Sequence, residues 1–138
     1  MADYTRLPRL QSETLKVTEL DAPGVAKAVK LGQITYTATS GTAVKIGTVP
    51  ANHRILKVWC EVTTAFNSGT SDTLKIGTAT DDDAFLATGD ITTHTAGCYK
   101  KDAFFRCATA TDIKATLSKT GTAATAGVAD IYVLLAKL

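Results

Sequence analysis

The chain has 138 residues, about one domain's length and enough to bury a core without staples. Its 15 basic and 13 acidic side chains leave a formal charge of +2, too balanced for a nucleic-acid surface. There is no apolar run of about 18 residues to cross a membrane, and three cysteines without C-x-x-C spacing exclude a disulfide framework or a zinc ribbon.

Met1 to Leu20 carries early charges, Pro8 and no sustained period. It lacks the apolar centre of a signal peptide, so synthesis in the cytosol is expected. Residues 1–20 are expected to form an extended N-terminal arm, with Leu7, Leu10, Leu15 and Val17 as candidate partner contacts. A loose terminus is the competing reading. The β domain is expected over 21–138, opening with the turn Asp21-Ala22-Pro23-Gly24.

Val25 to Leu31 alternates like a strand, yet its Ala and Lys also suit a helix. Gly32 then opens a clearer strand through Ala38, and Thr42 to Thr48 predicts another. Arg54 to Ala65 is the longest predicted strand. Leu56, Val58, Cys60 and Val62 share the face expected to be core; Ile55, Lys57, Trp59, Glu61 and Thr63 share the other. Trp59 among charges is therefore a candidate for cover by another chain. Thr73 to Thr78 predicts a short strand with Leu74 and Ile76 inward, closed by the turn Asp81-Asp82-Asp83. Phe85, Leu86 and Ile91 are short apolar anchors. Cys98 to Ala108 and the Ile113-Ala115-Leu117 segment predict two more strands. Val128 to Ala136 is nearly all apolar, which suits the middle of a sheet. About eight short strands with regular turns predict a single all-β sandwich. Its core is expected to hold Leu56, Val58, Val62, Leu74, Ile76, Ile113, Leu117, Ile131 and Val133.

No catalytic constellation stands out. There is no nucleophile elbow, no phosphate-binding glycine loop and no dinucleotide fingerprint. His53 and His94 fall in turn and loop chemistry and read as exposed polar residues. The acidic turn at 81–83 lacks EF-hand spacing and reads as turn chemistry rather than a metal site. Trp59, Tyr99 and Tyr36 are candidates for a sugar-binding cluster or for peripheral core. An enzyme, a cofactor and a metal are all unexpected. Three free thiols are expected.

The stretch from Lys45 to Phe85, KIGTVPANHRILKVWCEVTTAFNSGTSDTLKIGTATDDDAF, carries a resemblance. A Pro-containing turn leads into an ILKV-type strand, and TTAFNSGTSDTLKIGTATDDDAF follows. This resembles the small β-sandwich proteins of tailed-bacteriophage particles, especially head decoration or cement proteins. The likeness extends in style from Gly41 to Leu138 and is tightest from Val49 to Phe85. It implies a jelly-roll-like sandwich, a structural role in the virion on the outer capsid surface, the major capsid protein as partner, and no obligatory metal. It also implies self-association as a dimer or trimer; the placement of Trp59 favours the dimer. A head fibre, a tail accessory subunit or a receptor- or carbohydrate-binding module on the same fold is the alternative.

Overall fold

A computed structural model describes residues 25–138. Seven strands follow in order: β1 (Ala26–Thr35), β2 (Ala43–Val49), β3 (His53–Thr64), β4 (Ser71–Gly77), β5 (Gly97–Cys107), β6 (Thr111–Thr120) and β7 (Val128–Lys137). One 3-10 turn, Thr88–Asp90, lies between β4 and β5, and there is no α-helix among the described residues. The expectations for the arm, including Leu7, Leu10, Leu15 and Val17, lie outside the described residues.

The strands form two antiparallel sheets, β1-β7-β3-β5 and β2-β6-β4. Consecutive strands alternate between the sheets, so every connection crosses from one layer to the other. The pairing is also nested: β1 with β7, β2 with β6, β3 with β5. That is a long two-stranded ribbon rolled on itself, the topology of a jelly roll. In the roll β4 needs a partner from the segment after its turn. It receives a single bridge, Ile76 to Leu86, closed by hydrogen bonds in both directions (Ile76 N to Leu86 O 2.8 Å, Leu86 N to Ile76 O 3.0 Å). The eighth strand shrinks to this bridge because Phe85 and Leu86, flanked by the small Ala84 and Ala87, are its only large apolar side chains before Thr88-Gly89-Asp90 turns the chain away. Both anchors, and Ile91, are buried.

The core lies between the sheets. Val58, Val62, Leu74, Ile76, Ile113, Leu117, Ile131 and Val133 are at most 1% exposed, as their period-two spacing predicts. Leu56 is the exception. It is half-buried, and its neighbour Ile55 is fully buried instead. Both ladders of β3 shift register between Ile55 and Lys57, so a β-bulge at Leu56 reverses the alternation from there to the strand's start. Ala26 to Leu31 resolves as strand, because β1 as a whole makes nine residue pairs with β7, which outweigh the helix preference of Ala and Lys. Nor does Gly32 open a new strand. β1 runs through it with a register shift between Lys30 and Gly32, and β2 shifts between Lys45 and Gly47. The two irregularities meet where the layers touch: a Cβ on Gly32 would sit 2.6 Å from the Ile46 carbonyl oxygen, and one on Gly47 3.1 Å from that of Leu31. Glycine permits this seam.

The bulge makes a direct prediction. Ile55→Ala should lower the unfolding free energy by about 2–4 kcal/mol in urea melts. Leu56→Ala should cost about 1 kcal/mol or less, the ordinary value for a half-exposed site. The reverse order would return β3 to unbroken alternation.

Candidate functional site

The outer face of the four-stranded sheet is the most chemically loaded surface described. Register places Lys57, Trp59 and Glu61 of β3 beside Leu134, Tyr132 and Asp130 of β7. On the other side, Asp102, Lys100 and Cys98 of β5 lie opposite the same three β3 residues. Trp59 and Tyr132 stack, with ring centroids 5.6 Å apart and planes 6° from parallel. Both are half-buried. Trp59 therefore sits on the face expected for it, partly covered by its own chain. Lys57, Trp59, Cys98 and Lys100 line a shallow cleft of about 260 Å³. Lys57 pairs with Asp102 at 3.5 Å, so one lysine at this cleft is neutralised.

Beyond the bulge, Arg54 and Arg106 lie directly opposite each other on β3 and β5. The Arg54 guanidinium covers the ring of Phe104 at 4.3 Å. Phe104 is 76% exposed, the most exposed large apolar side chain described. Arg54 Nε is buried without a hydrogen-bond partner. Neither arginine has a carboxylate within ion-pair distance among the described residues. At the far end of the face Glu61 and Asp130 are also direct neighbours. Asp130 is held by Lys30 at 3.3 Å and by the Gln33 amide at 2.8 Å; Glu61 has no cation among the described residues.

A second cluster lies where the chain enters β4 and the 91–95 loop leads toward β5. The Asp72 side chain is fully buried and accepts hydrogen bonds from the Ser68 N–H (2.9 Å) while pairing with His94 Nε2 (2.7 Å). Its other oxygen has no partner. With Thr70, Ser71, Thr92 and Thr93 these residues line an open cleft of about 370 Å³. His94 is exposed as its loop context predicts, but it is not idle: it ties the 91–95 loop to β4. The Ser68 and Thr93 hydroxyls both donate to backbone carbonyls, Ser71 O and Asp72 O. The contact is a latch.

Other expected groupings are not assembled. Tyr99 packs against the core side and donates to Thr95 O, and Tyr36 also packs on the core, so neither joins Trp59 in an aromatic cluster. Tyr132 takes that place. Sequence reasoning missed it because the apolar run of β7 hides a period-two outer face. The turn Asp81-Asp82-Asp83 brings three exposed carboxylates within 4.8 Å of one another. Lys75 Nζ holds Asp82 at 2.6 Å, and that hydrogen bond raises the lysine's pKa. A hydrogen bond to Asp81, which the protonated Asp83 carboxyl donates, together with burial and the neighbouring carboxylates, raises that of Asp83. These contacts are the turn's own.

All three cysteines are free thiols. Burial, with Cys98 and Asp130 nearby, pushes Cys60 up to about 12, and burial raises Cys107. Cys98 is exposed.

No protein-family model matches this sequence, and no curated protein matches it. Solved structures do match in fold. A chain of the cyanophage Pam1 capsid asymmetric unit superposes with a TM-score of 0.66 at 15% identity, over 84% of this chain and 87% of that one. A chain of the acid-stable capsid of Helicobacter pylori bacteriophage KHP30 gives 0.62 at 11% identity, over 83% and 90%. A chain of the Ralstonia phage GP4 capsid gives 0.59 at 12% identity, over 86% and 88%. At these identities the likeness is one of fold.

Two outcomes are expected. At pH 8 a thiol reagent should modify Cys98 rapidly in the native protein and reach three thiols only after denaturation; fast native labelling of all three would contradict the buried placement of Cys60 and Cys107. His94→Ala strips the buried Asp72 carboxylate of its side-chain partner and should lower stability by about 1–3 kcal/mol, read from the urea midpoint.

Proposed function

We propose that this chain is a structural protein of a tailed-phage particle that binds the outside of the capsid and stabilises it. The observation that carries the proposal is a fold likeness spanning more than four-fifths of both chains to three chains from phage capsids. The resemblance of Lys45–Phe85 to head decoration proteins supports it from the sequence side.

The physical requirements fit. A clip across capsid subunits needs a stiff body. Here a jelly roll with a fully buried aliphatic core supplies one. It also needs an attachment that is weak singly and strong collectively. Binding the assembled shell in preference to free subunits stabilises the shell by mass action, and many copies add avidity. In this proposal the partner is the major capsid protein. Residues 1–20 are the attachment arm, with Leu7, Leu10, Leu15 and Val17 filling grooves between subunits. The protein is made in the host cytoplasm, acts at the virion surface and self-associates, a dimer being favoured over a trimer.

One observation favours a second reading on the same fold. The Trp59–Tyr132 stack beside Lys57 and Lys100 is a flat aromatic platform with polar neighbours, the composition of a glycan subsite in a fibre or receptor-binding module. Saturable glycan binding with no affinity for capsids would select it.

The test is co-sedimentation with particles that lack the protein. Full-length chain should pellet with them. A chain lacking residues 1–20 should bind at least about tenfold more weakly while its melting temperature moves by no more than about 2 °C. Equal binding by the truncated chain would remove the arm's role. Failure of the full chain to bind any particle would remove the structural proposal.

A further inference from the structure

We infer that the outer face of the four-stranded sheet is the self-association surface, and that two copies pack it face to face about a two-fold axis crossing the strands near Lys57 and Trp59. This deepens the self-association in the proposed function and rests on it.

The argument starts from charge placed at a cost. Arg54 and Arg106 are direct cross-strand neighbours at one end of the face; Glu61 and Asp130 are direct cross-strand neighbours at the other. Like charges in such positions destabilise an isolated sheet. Only Asp130 has an opposite charge beside it; Arg54, Arg106 and Glu61 have none among the described residues. The face is therefore an unneutralised basic pole and an acidic pole, separated along β3 by about 20 Å. Between them lie the Trp59–Tyr132 stack and Leu134.

A surface of this kind is complementary to itself. Rotation by 180° about an axis in the contact plane, perpendicular to the strands, reverses position along each strand and keeps position across the sheet. Arg54 then meets the partner's Glu61, and Glu61 meets the partner's Arg54. Trp59, close to the axis, meets the partner's Lys57 and Leu134, an aromatic plane over a lysine stem and an aliphatic side chain. The contact is isologous, so the Arg54–Glu61 ion pair forms twice. A two-fold axis along the strands would set basic pole against basic pole, so charge selects one orientation. Four strands of about ten residues present a face of roughly 600 Å². Two such faces bury about 1,200 Å², at the lower end of specific interfaces. Association is therefore expected on the order of micromolar, and exposure of Phe104 at the basic end is relieved by it.

The experiment uses the full chain at about 10–200 µM in low salt, with mass read by sedimentation equilibrium. Wild type should reach twice 14.5 kDa. R54E sets carboxylate against the partner's Glu61, and E61R sets guanidinium against the partner's Arg54; each should weaken dimerisation at least about tenfold. Each also replaces a like-charge neighbour by an opposite one within its own chain, so neither should lower the melting temperature by more than a few degrees, which separates a lost interface from a lost fold. The double variant R54E/E61R restores complementarity and should dimerise again. A dimer indifferent to both reversals overturns the face while self-association stands. Singles that break the dimer without rescue by the double overturn the two-fold pairing. A wild-type mass of 14.5 kDa at the highest concentration overturns the inference together with self-association, and leaves the face to the capsid or to residues 1–24, while particle binding remains open to its own test.

Discussion

The whole architecture turns on β7 taking its place between β1 and β3. Each of those strands has β7 as a neighbour, and without it β1 has no partner in its sheet at all. The pairs it makes are long-range: Ala26 with Ala136, Thr35 with Val128. Nothing local supports them. They form because Ala129, Ile131, Val133 and Leu135 bury one whole side of the strand against the opposite sheet, each large side chain contributing roughly 1.5–3 kcal/mol of transfer free energy. A nested ribbon whose first and last strands must meet closes large loops before it gains its central contacts, which makes this a slow-folding topology for its size.

Much of this was legible in the sequence. The core residues of β4, β6 and β7 follow from alternation alone, and the apolar run of β7 places it inside a sheet. What alternation cannot show is a bulge, because a bulge is a property of two strands. Ile55 and Leu56 are both apolar, and only the register against β5 and β7 decides which one points inward. Similarly, Gly32 reads as a break when it is a point of close approach to Ile46 in the other layer. The count of eight strands came from dividing β1 at Gly32, whereas Phe85 and Leu86, expected as short anchors, form one bridge to Ile76.

The candidate surface was legible only in its central residue. Trp59 stands out because it breaks the polar pattern of its face. Its partner Tyr132 lies 73 positions away in sequence, hidden in a run that reads as uniformly buried. The charge poles are equally invisible, since Arg54 and Arg106, or Glu61 and Asp130, become neighbours only once the register is set. The two outer faces also differ in kind. The three-stranded sheet presents short hydroxyl and lysine side chains, with Thr48 bonded to Asp112 and Ser71 to Thr120. Several of its groups pair with one another, whereas on the four-stranded sheet Arg54, Arg106 and Glu61 have no opposite charge beside them among the described residues. That asymmetry gives the particle-protein proposal a physical direction: one side of the body is finished and the other is not.

The single bridge at Leu86 covers only a small part of β4. It leaves most of β4 as an uncovered sheet edge, and open edges recruit further strands, the step by which β-rich chains grow into fibres. The residues that terminate β4 oppose this. The Thr78–Asp81 turn folds so closely over Gly77 that a Cβ there would lie 2.1 Å from the Asp81 carbonyl oxygen. Three aspartates then stand at the end of the edge, and a second copy approaching the same way brings three more. Charge at the end of this edge disfavours the addition of a like strand there.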